Sequence, residues 1–251
     1  KAIMLAPTVS QKGPLTVRGE QRFRAALAAA GAAILGAAPH VLHHVGPLAG
    51  AALVAGATGT LLFGVSTAWV SATCELPGRR VFEWALLLPM AIPAYIIAYT
   101  YTGLLDFAGP VQGALRELFG WGYGDYWFPN IRSLPGAIVM LSLVLYPYVY
   151  LLARAAFLEQ SVCVLEVSRT LGATPMHTFV RVALPMARPA IVAGLLLALM
   201  ETLADYGTVQ FFGVSTFTTG IFRTWFGLGD AVAAAQLSAL LMSFVFVLIL
   251  L

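Results

Sequence analysis

Charge is what this sequence has least of. Only 10% of its 251 residues are Asp, Glu, Lys or Arg, against 60% hydrophobic. A soluble domain carries about a quarter charged residues, which keep its surface in water. So sparse a supply excludes a water-covered globule, and the mean hydropathy of +0.86 agrees. Cysteine is nearly missing too: Cys74 and Cys163 are the only two, which excludes a disulfide-stapled scaffold. Lysine occurs only as Lys1 and Lys12. A phosphate-cradling loop needs Gly-x-x-x-x-Gly-Lys-Ser/Thr, and neither lysine is so placed, so no ATP-hydrolysing site is expected in the chain. No nucleophile–base pair or metal constellation points to a membrane-embedded enzyme. The net charge of +3 does not indicate nucleic acid, because the fourteen Lys and Arg lie between apolar runs.

Apolar runs are what the sequence has instead. About 20 apolar residues carry a helix across the hydrocarbon core. No residue is formally charged between Arg24 and Glu75, enough for two crossings, at Ala25–Val45 and Gly50–Thr73, with Gly46-Pro47 as the turn. Further spans are expected at Trp84–Leu105, Leu134–Ala153, Pro189–Thr208 and Ala231–Leu251. The runs are continuous and do not alternate with period two, which favours helices over a barrel. The expected fold is all-α: a polytopic bundle of about six transmembrane helices. No cleavable signal peptide is evident after Arg24. The chain starts at Lys1 and stops at Leu251 inside an apolar run, so a piece of something longer is expected.

Basic residues orient the bundle. With the N-terminus inside, the inner stretches hold eleven: Lys1, Lys12, Arg18, Arg22, Arg24, Arg79, Arg80, Arg154, Arg169, Arg181 and Arg188. The outer stretches hold three, Arg116, Arg132 and Arg223. The outer segment Asp106–Ser133 is rich in aromatics (Phe119, Trp121, Tyr123, Tyr126, Trp127, Phe128), expected as an interfacial belt and cap, with a docking surface as the alternative. His40, His43 and His44 are expected as an interfacial cluster. Pro89 and Pro93 lie four residues apart in the third span and should bend or break it.

The inner segment Arg154–Arg188 is the most informative. Glu166-Val167-Ser168-Arg169-Thr170-Leu171-Gly172 is followed, after nine residues, by Val182-Ala183-Leu184-Pro185. Physically this predicts two short helices joined by a break. Gly172 allows a left-handed turn and Pro175 suits a first helical turn. Pro185 and Pro189 are expected to stop the second helix and feed the next span. The product is a helical elbow suited to a groove on another protein.

This spacing resembles the EAA loop of ABC importer permeases: Glu-Ala-Ala, three residues, Gly, nine residues, Ile, one residue, Leu-Pro. Glu166, Gly172, Leu184 and Pro185 match in identity and spacing, Val182 stands for Ile, and Val167 and Ser168 replace the two alanines. A wider stretch, from Phe82 onward, is similar to bacterial ferric-iron ABC transporter permeases. It includes Glu83-Trp84-Ala85-Leu86-Leu87-Leu88-Pro89, Tyr146-Pro147-Tyr148-Val149-Tyr150 and Glu201-Thr202-Leu203-Ala204-Asp205-Tyr206-Gly207.

The resemblance implies the type I importer permease fold in a bacterial inner membrane, with residues 51–251 as one transmembrane domain. Residues 1–50 would form an inner N-terminal segment and a first span. Such permeases usually carry two modules, and this chain would be the N-terminal one. By the same resemblance the elbow is a coupling helix. Glu166 would be an acidic contact to an ATP-hydrolysing subunit, Arg169 a second contact, Gly172 the bend, and Leu184-Pro185 the return into the membrane. The implied partners are that ATP-binding subunit, a soluble substrate-binding protein outside and a second permease module. ATP would be bound by the partner, with no cofactor held here.

Glu201 and Asp205 are one helical turn apart in the fifth span, with Tyr206 adjacent. An intramembrane carboxylate costs about 2.5–3.5 kcal/mol on insertion scales, so it faces a pathway or a partner. Carboxylate and phenolate oxygens suit a hard cation such as ferric iron. One reading has Glu201, Asp205 and Tyr206 lining the translocation route in the outer half of the span. The other pairs the acids with Arg223 or a neighbouring helix. For cargo, thiamine, sulfate or a polyamine stand as alternatives to iron, and an ion-driven secondary transporter stands as the rival class.

Overall fold

The computed structural model describes residues 46–75, 77–122, 124–160, 166–168 and 170–250. The expected first span at Ala25–Val45, the histidines 40, 43 and 44, Tyr123, Cys163 and Arg169 lie outside the described residues. Two compact units are distinguished, Lys1–Ala51 and Ala52–Leu251, and nearly all of the described residues belong to the second.

Every regular element among the described residues is helical. The long helices are α1 (Gly46–Thr73), α5 (Leu134–Glu159), α6 (Pro175–Ala204) and α9 (Ala231–Leu250). The shorter ones are α2 (Arg79–Ala85), α3 (Ala94–Leu105), α4 (Pro110–Phe119), α7 (Gly207–Phe211) and α8 (Phe217–Phe222). Among the described residues four helices are long and apolar enough to cross a membrane, or five if a bent pair counts as one span. That pair is the third span. Leu88–Ala91 tightens into a 3₁₀ turn around Pro89, Ile92 is extended, and Pro93 caps α3. The arms Arg79–Ala91 and Ala94–Phe119 meet at 100°, so the break expected from the two prolines is present.

Several hydroxyls in these helices bond back to a carbonyl one turn earlier, which satisfies them within the helix. In α1, Thr58 donates to the Val54 carbonyl (2.7 Å), Thr60 to Gly56 (2.8 Å) and Thr73 to Trp69 (2.8 Å). Helix α5 is the core: 61% of its apolar window is buried, against 17% for α1 and 6% for α9. Small residues let its neighbours come close. A Cβ on Gly64 would lie 2.6 Å from Val149 Cβ, and one on Gly194 2.8 Å from Val149 Cα. Val149 is therefore held between α1 on one side and α6 on the other. One polar contact adds to this packing, Ser142 Oγ donating to the Gly56 carbonyl at 3.1 Å.

Ion pairs tie the helices together at the end expected inside and at the end expected outside. At the inner end, Glu83 accepts from Arg79 Nε (2.8 Å) and from Arg154 Nη2, joining α2 to α5. At the outer end, Arg132 pairs with Asp106 at 3.5 Å. Buried Gln112 of α4 donates to the Leu105 carbonyl (2.8 Å) and accepts from Tyr126 Oη (2.7 Å). Trp121 stacks between Phe119 and Tyr126, at 4.6 and 5.3 Å.

The interlock is testable. Gly194→Leu must overpack the α5–α6 contact, which costs about 1–3 kcal/mol. Gly103→Leu, at an open position, should cost far less. Thermal unfolding of the purified protein in detergent should show the midpoint falling several degrees only for the first.

Candidate coupling elbow and acidic break

The elbow is built by capping. Glu166, Val167, Ser168 and Thr170 are helical. Gly172 then takes φ +85°, and the backbone N–H groups of Leu171 and Ala173 close back on Val167 (3.0 Å) and Ser168 (3.1 Å). Thr174 opens α6 by accepting from His177 N–H at 3.2 Å, with Pro175 in the first turn. A hydroxyl bridge from Ser168 to buried Thr178, 2.9 Å, pins the two arms together.

Pro185 and Pro189 do not stop the helix, contrary to expectation. α6 runs on through both, because residues Phe179–Ala183 widen into a π turn in which Leu184 N–H bonds Phe179 O. Proline removes the hydrogen bond to the carbonyl four residues back and crowds it; the π turn absorbs that defect just ahead of Pro185. Gln160 donates to the Ala183 carbonyl at 2.8 Å, fastening the turn to the end of α5. Leu184 packs on the inner core and Pro185 is exposed.

Beneath the elbow lies an aromatic trio that sequence reasoning missed. Trp69 of α1 meets Phe157 of α5 at 5.2 Å and Phe179 of α6 at 4.9 Å. The three are too far apart in sequence for any local pattern, and the only signal was one aromatic at the inner end of each span. Above the trio the elbow presents bare apolar surface: Leu171 is 82% and Met176 69% exposed, with exposed Glu166 alongside.

The fifth span ends sooner than expected. α6 stops at Ala204, Asp205 is extended, and Thr208 belongs to α7. Glu201 and Asp205 therefore do not share one continuous helix face. Asp205 caps α7 instead, accepting from the N–H of Val209 (3.0 Å) and Thr208 (3.4 Å). Its carbonyl accepts from Thr218 Oγ1 at 2.7 Å. Tyr206 stacks on Phe222 at 3.9 Å. Glu201 is exposed in the last turn of α6, with Tyr148 Oη donating to it at 3.4 Å. Among the described residues neither acid forms an ion pair, with Arg223 or any other cation.

The helix contacts set the depth. Val149 lies fifteen residues from the outer end of α5, and Gly194 is level with it. Glu201 is seven residues further out, so at 1.5 Å per residue it lies about 12 Å below that outer end. That is within the outer half of α5, a helix of 26 residues.

Residues 60–251 match the family described as "Binding-protein-dependent transport system inner membrane component". The chain belongs to that family. Among members of this transport-component family, it is 29% identical over 185 residues to the Fe(3+)-transport system permease protein FbpB 2 of Haemophilus influenzae, covering 74% of this chain and 32% of that protein. It is 27% identical over 153 residues to the molybdenum transport system permease protein ModB of Escherichia coli, covering 61% of this chain and 64% of the relative. The chain thus spans about a third of one relative and just under two thirds of the other. A solved MetNI methionine ABC transporter, in inward-facing conformations, superposes with a TM-score of 0.55 at 18% identity, over 79% of this chain and 86% of that one. This likeness shows the permease fold and agrees with the all-α bundle expected from the sequence.

The cap at the break gives a prediction. Asp205→Ala leaves two backbone N–H groups at membrane depth without an acceptor and should cost about 0.5–2 kcal/mol, whereas Asp205→Asn keeps an acceptor and should cost less. Thermal unfolding of the two variants checks the order.

Proposed function

We propose that this chain is one permease module of an ABC importer for ferric iron in a bacterial inner membrane. It takes cargo from a soluble binding protein outside and is driven by an ATP-binding subunit inside, which holds the nucleotide. A second permease module completes the path. The observation that carries the transport reading is the elbow: an exposed apolar knuckle at the inner end, rigidly capped and continuous with a membrane-crossing helix. Burying Leu171 and Met176 in a partner's cleft contributes about 1.5–3 kcal/mol each, and Glu166 beside them supplies charge for a basic rim. Arg169 is kept as the second contact on the strength of the loop's spacing.

The cargo reading rests on Glu201, an exposed carboxylate in the outer half of the bundle with no cation beside it among the described residues. Similarity to a molybdenum permease favours an oxyanion as the second reading. Electrostatics at Glu201 favours the cation. At about 4 Å and an effective dielectric near 20, each unit charge pair is worth ~4 kcal/mol. A divalent oxyanion passing Glu201 would meet about 8 kcal/mol of repulsion, and a cation the corresponding attraction. Asp205 and Tyr206, engaged in the cap and the ring stack, would shape this part of the route and leave the direct contact to Glu201.

Leu171→Glu places a charge on the knuckle without touching its caps. In proteoliposomes holding the assembled transporter, ATP-driven uptake should fall at least tenfold, and the ATP-binding subunit should co-purify poorly. Unchanged uptake would refute the coupling role.

A further inference from the structure

The acidic break leaves one carboxylate and one phenol presenting oxygen at the same spot. The carboxylate of Asp205 is occupied by two backbone N–H groups, and the ring of Tyr206 lies flat on Phe222. Glu201 has neither constraint. The phenol that meets it is Tyr148, fifty-three residues earlier on α5. The ring of Tyr148 packs against the buried cluster of Leu141, Val144, Leu145, Ala198 and Val209, which fixes its direction. Its hydroxyl emerges at the exposed Glu201 carboxylate. The 3.4 Å separation is well beyond the usual 2.7–2.8 Å of an O–H···O bond, so the pair is held close without being closed on itself.

We infer that Tyr148 is a specificity-determining residue of the transport route, forming with Glu201 a two-oxygen contact for a hard trivalent cation. This rests on the ferric-iron reading above. Carboxylate and phenol oxygens are the donors such a cation prefers, and a contact of only two protein oxygens is weak enough to release it. The phenol also holds the carboxylate in one orientation between passages. It sits on the core helix, so the contact spans the α5–α6 packing and opens or closes with it.

The test is a double-mutant cycle in the intact transporter, reconstituted with its ATP-binding and substrate-binding subunits. Uptake of radioactive ferric iron and of molybdate is measured for wild type, Tyr148→Phe, Glu201→Gln and the double variant, with ATP hydrolysis read in parallel. Tyr148→Phe keeps the ring and its packing, so the variant should assemble with its partner subunits, and the hydrolysis measured in parallel normalises its uptake. Ferric uptake should fall about tenfold in each single variant, and the double variant should be no worse than Glu201→Gln, because the two act as one contact. Wild-type ferric uptake in Tyr148→Phe, or effects that multiply in the double variant, would overturn the inference while leaving the ferric reading intact. A wild-type transporter that moves molybdate and no ferric iron would overturn the ferric reading, and the Tyr148 role with it.

Discussion

Helix α6 runs as one helix, through the π turn at Phe179–Ala183, from Pro175 in the elbow to Ala204 at the acidic break, thirty residues or about 45 Å. A helix cannot stretch or fold without giving up backbone hydrogen bonds, and in lipid nothing replaces them. Whatever moves its inner end must therefore move its outer end. Gly194, pressed against Val149, divides the rod into an inner arm of nineteen residues and an outer arm of ten. At 1.5 Å per residue these are about 28 and 15 Å, and Glu201 lies about 10 Å along the outer arm, so a tilt about that contact delivers roughly a third of the elbow's displacement to Glu201. The aromatic trio of Trp69, Phe157 and Phe179 and the Ser168–Thr178 bridge make the elbow part of the rod.

The two interruptions of regular helix face one another. Tyr95, two residues past the Ile92-Pro93 break, packs against Gly207, two residues past Asp205. Tyr99, one turn on, meets Phe211 of α7 edge to face at 5.7 Å. Irregular backbone at membrane depth persists only where protein or a water-filled path surrounds it, and transporters commonly place their substrate contacts at such half-helix ends. Here the break in α6 is sealed by Asp205 and the Thr216–Thr218–Thr219 hydroxyls, and Glu201 remains on the open side.

Much of the architecture was legible in the sequence because lipid imposes so simple a rule. Long uncharged runs gave the long helices of the described residues, and Gly172 with Pro175 gave the turn of the elbow. The third-span break followed from Pro89 and Pro93. Pro185 and Pro189 misled for a physical reason: the rule that proline ends a helix assumes α geometry, and a π turn at Phe179–Ala183 accommodates the missing donor. Asp205 misled likewise, since its spacing from Glu201 implies one face only if the helix continues, and nothing local announces that it ends at Ala204. Tyr148 and the aromatic trio were illegible because their meaning is a contact between distant helices.

The continuity of α6 is tested most directly by breaking it between the elbow and the acidic break. Ala193 is exposed, midway along the rod, and Ala193→Pro removes a backbone bond at a cost of about 3 kcal/mol while leaving the elbow's caps and the acidic break unchanged. The decisive quantity is cargo moved per ATP hydrolysed by the reconstituted transporter. A rigid rod predicts that hydrolysis continues while the ratio falls at least tenfold; an unaltered ratio in a correctly assembled variant would contradict it.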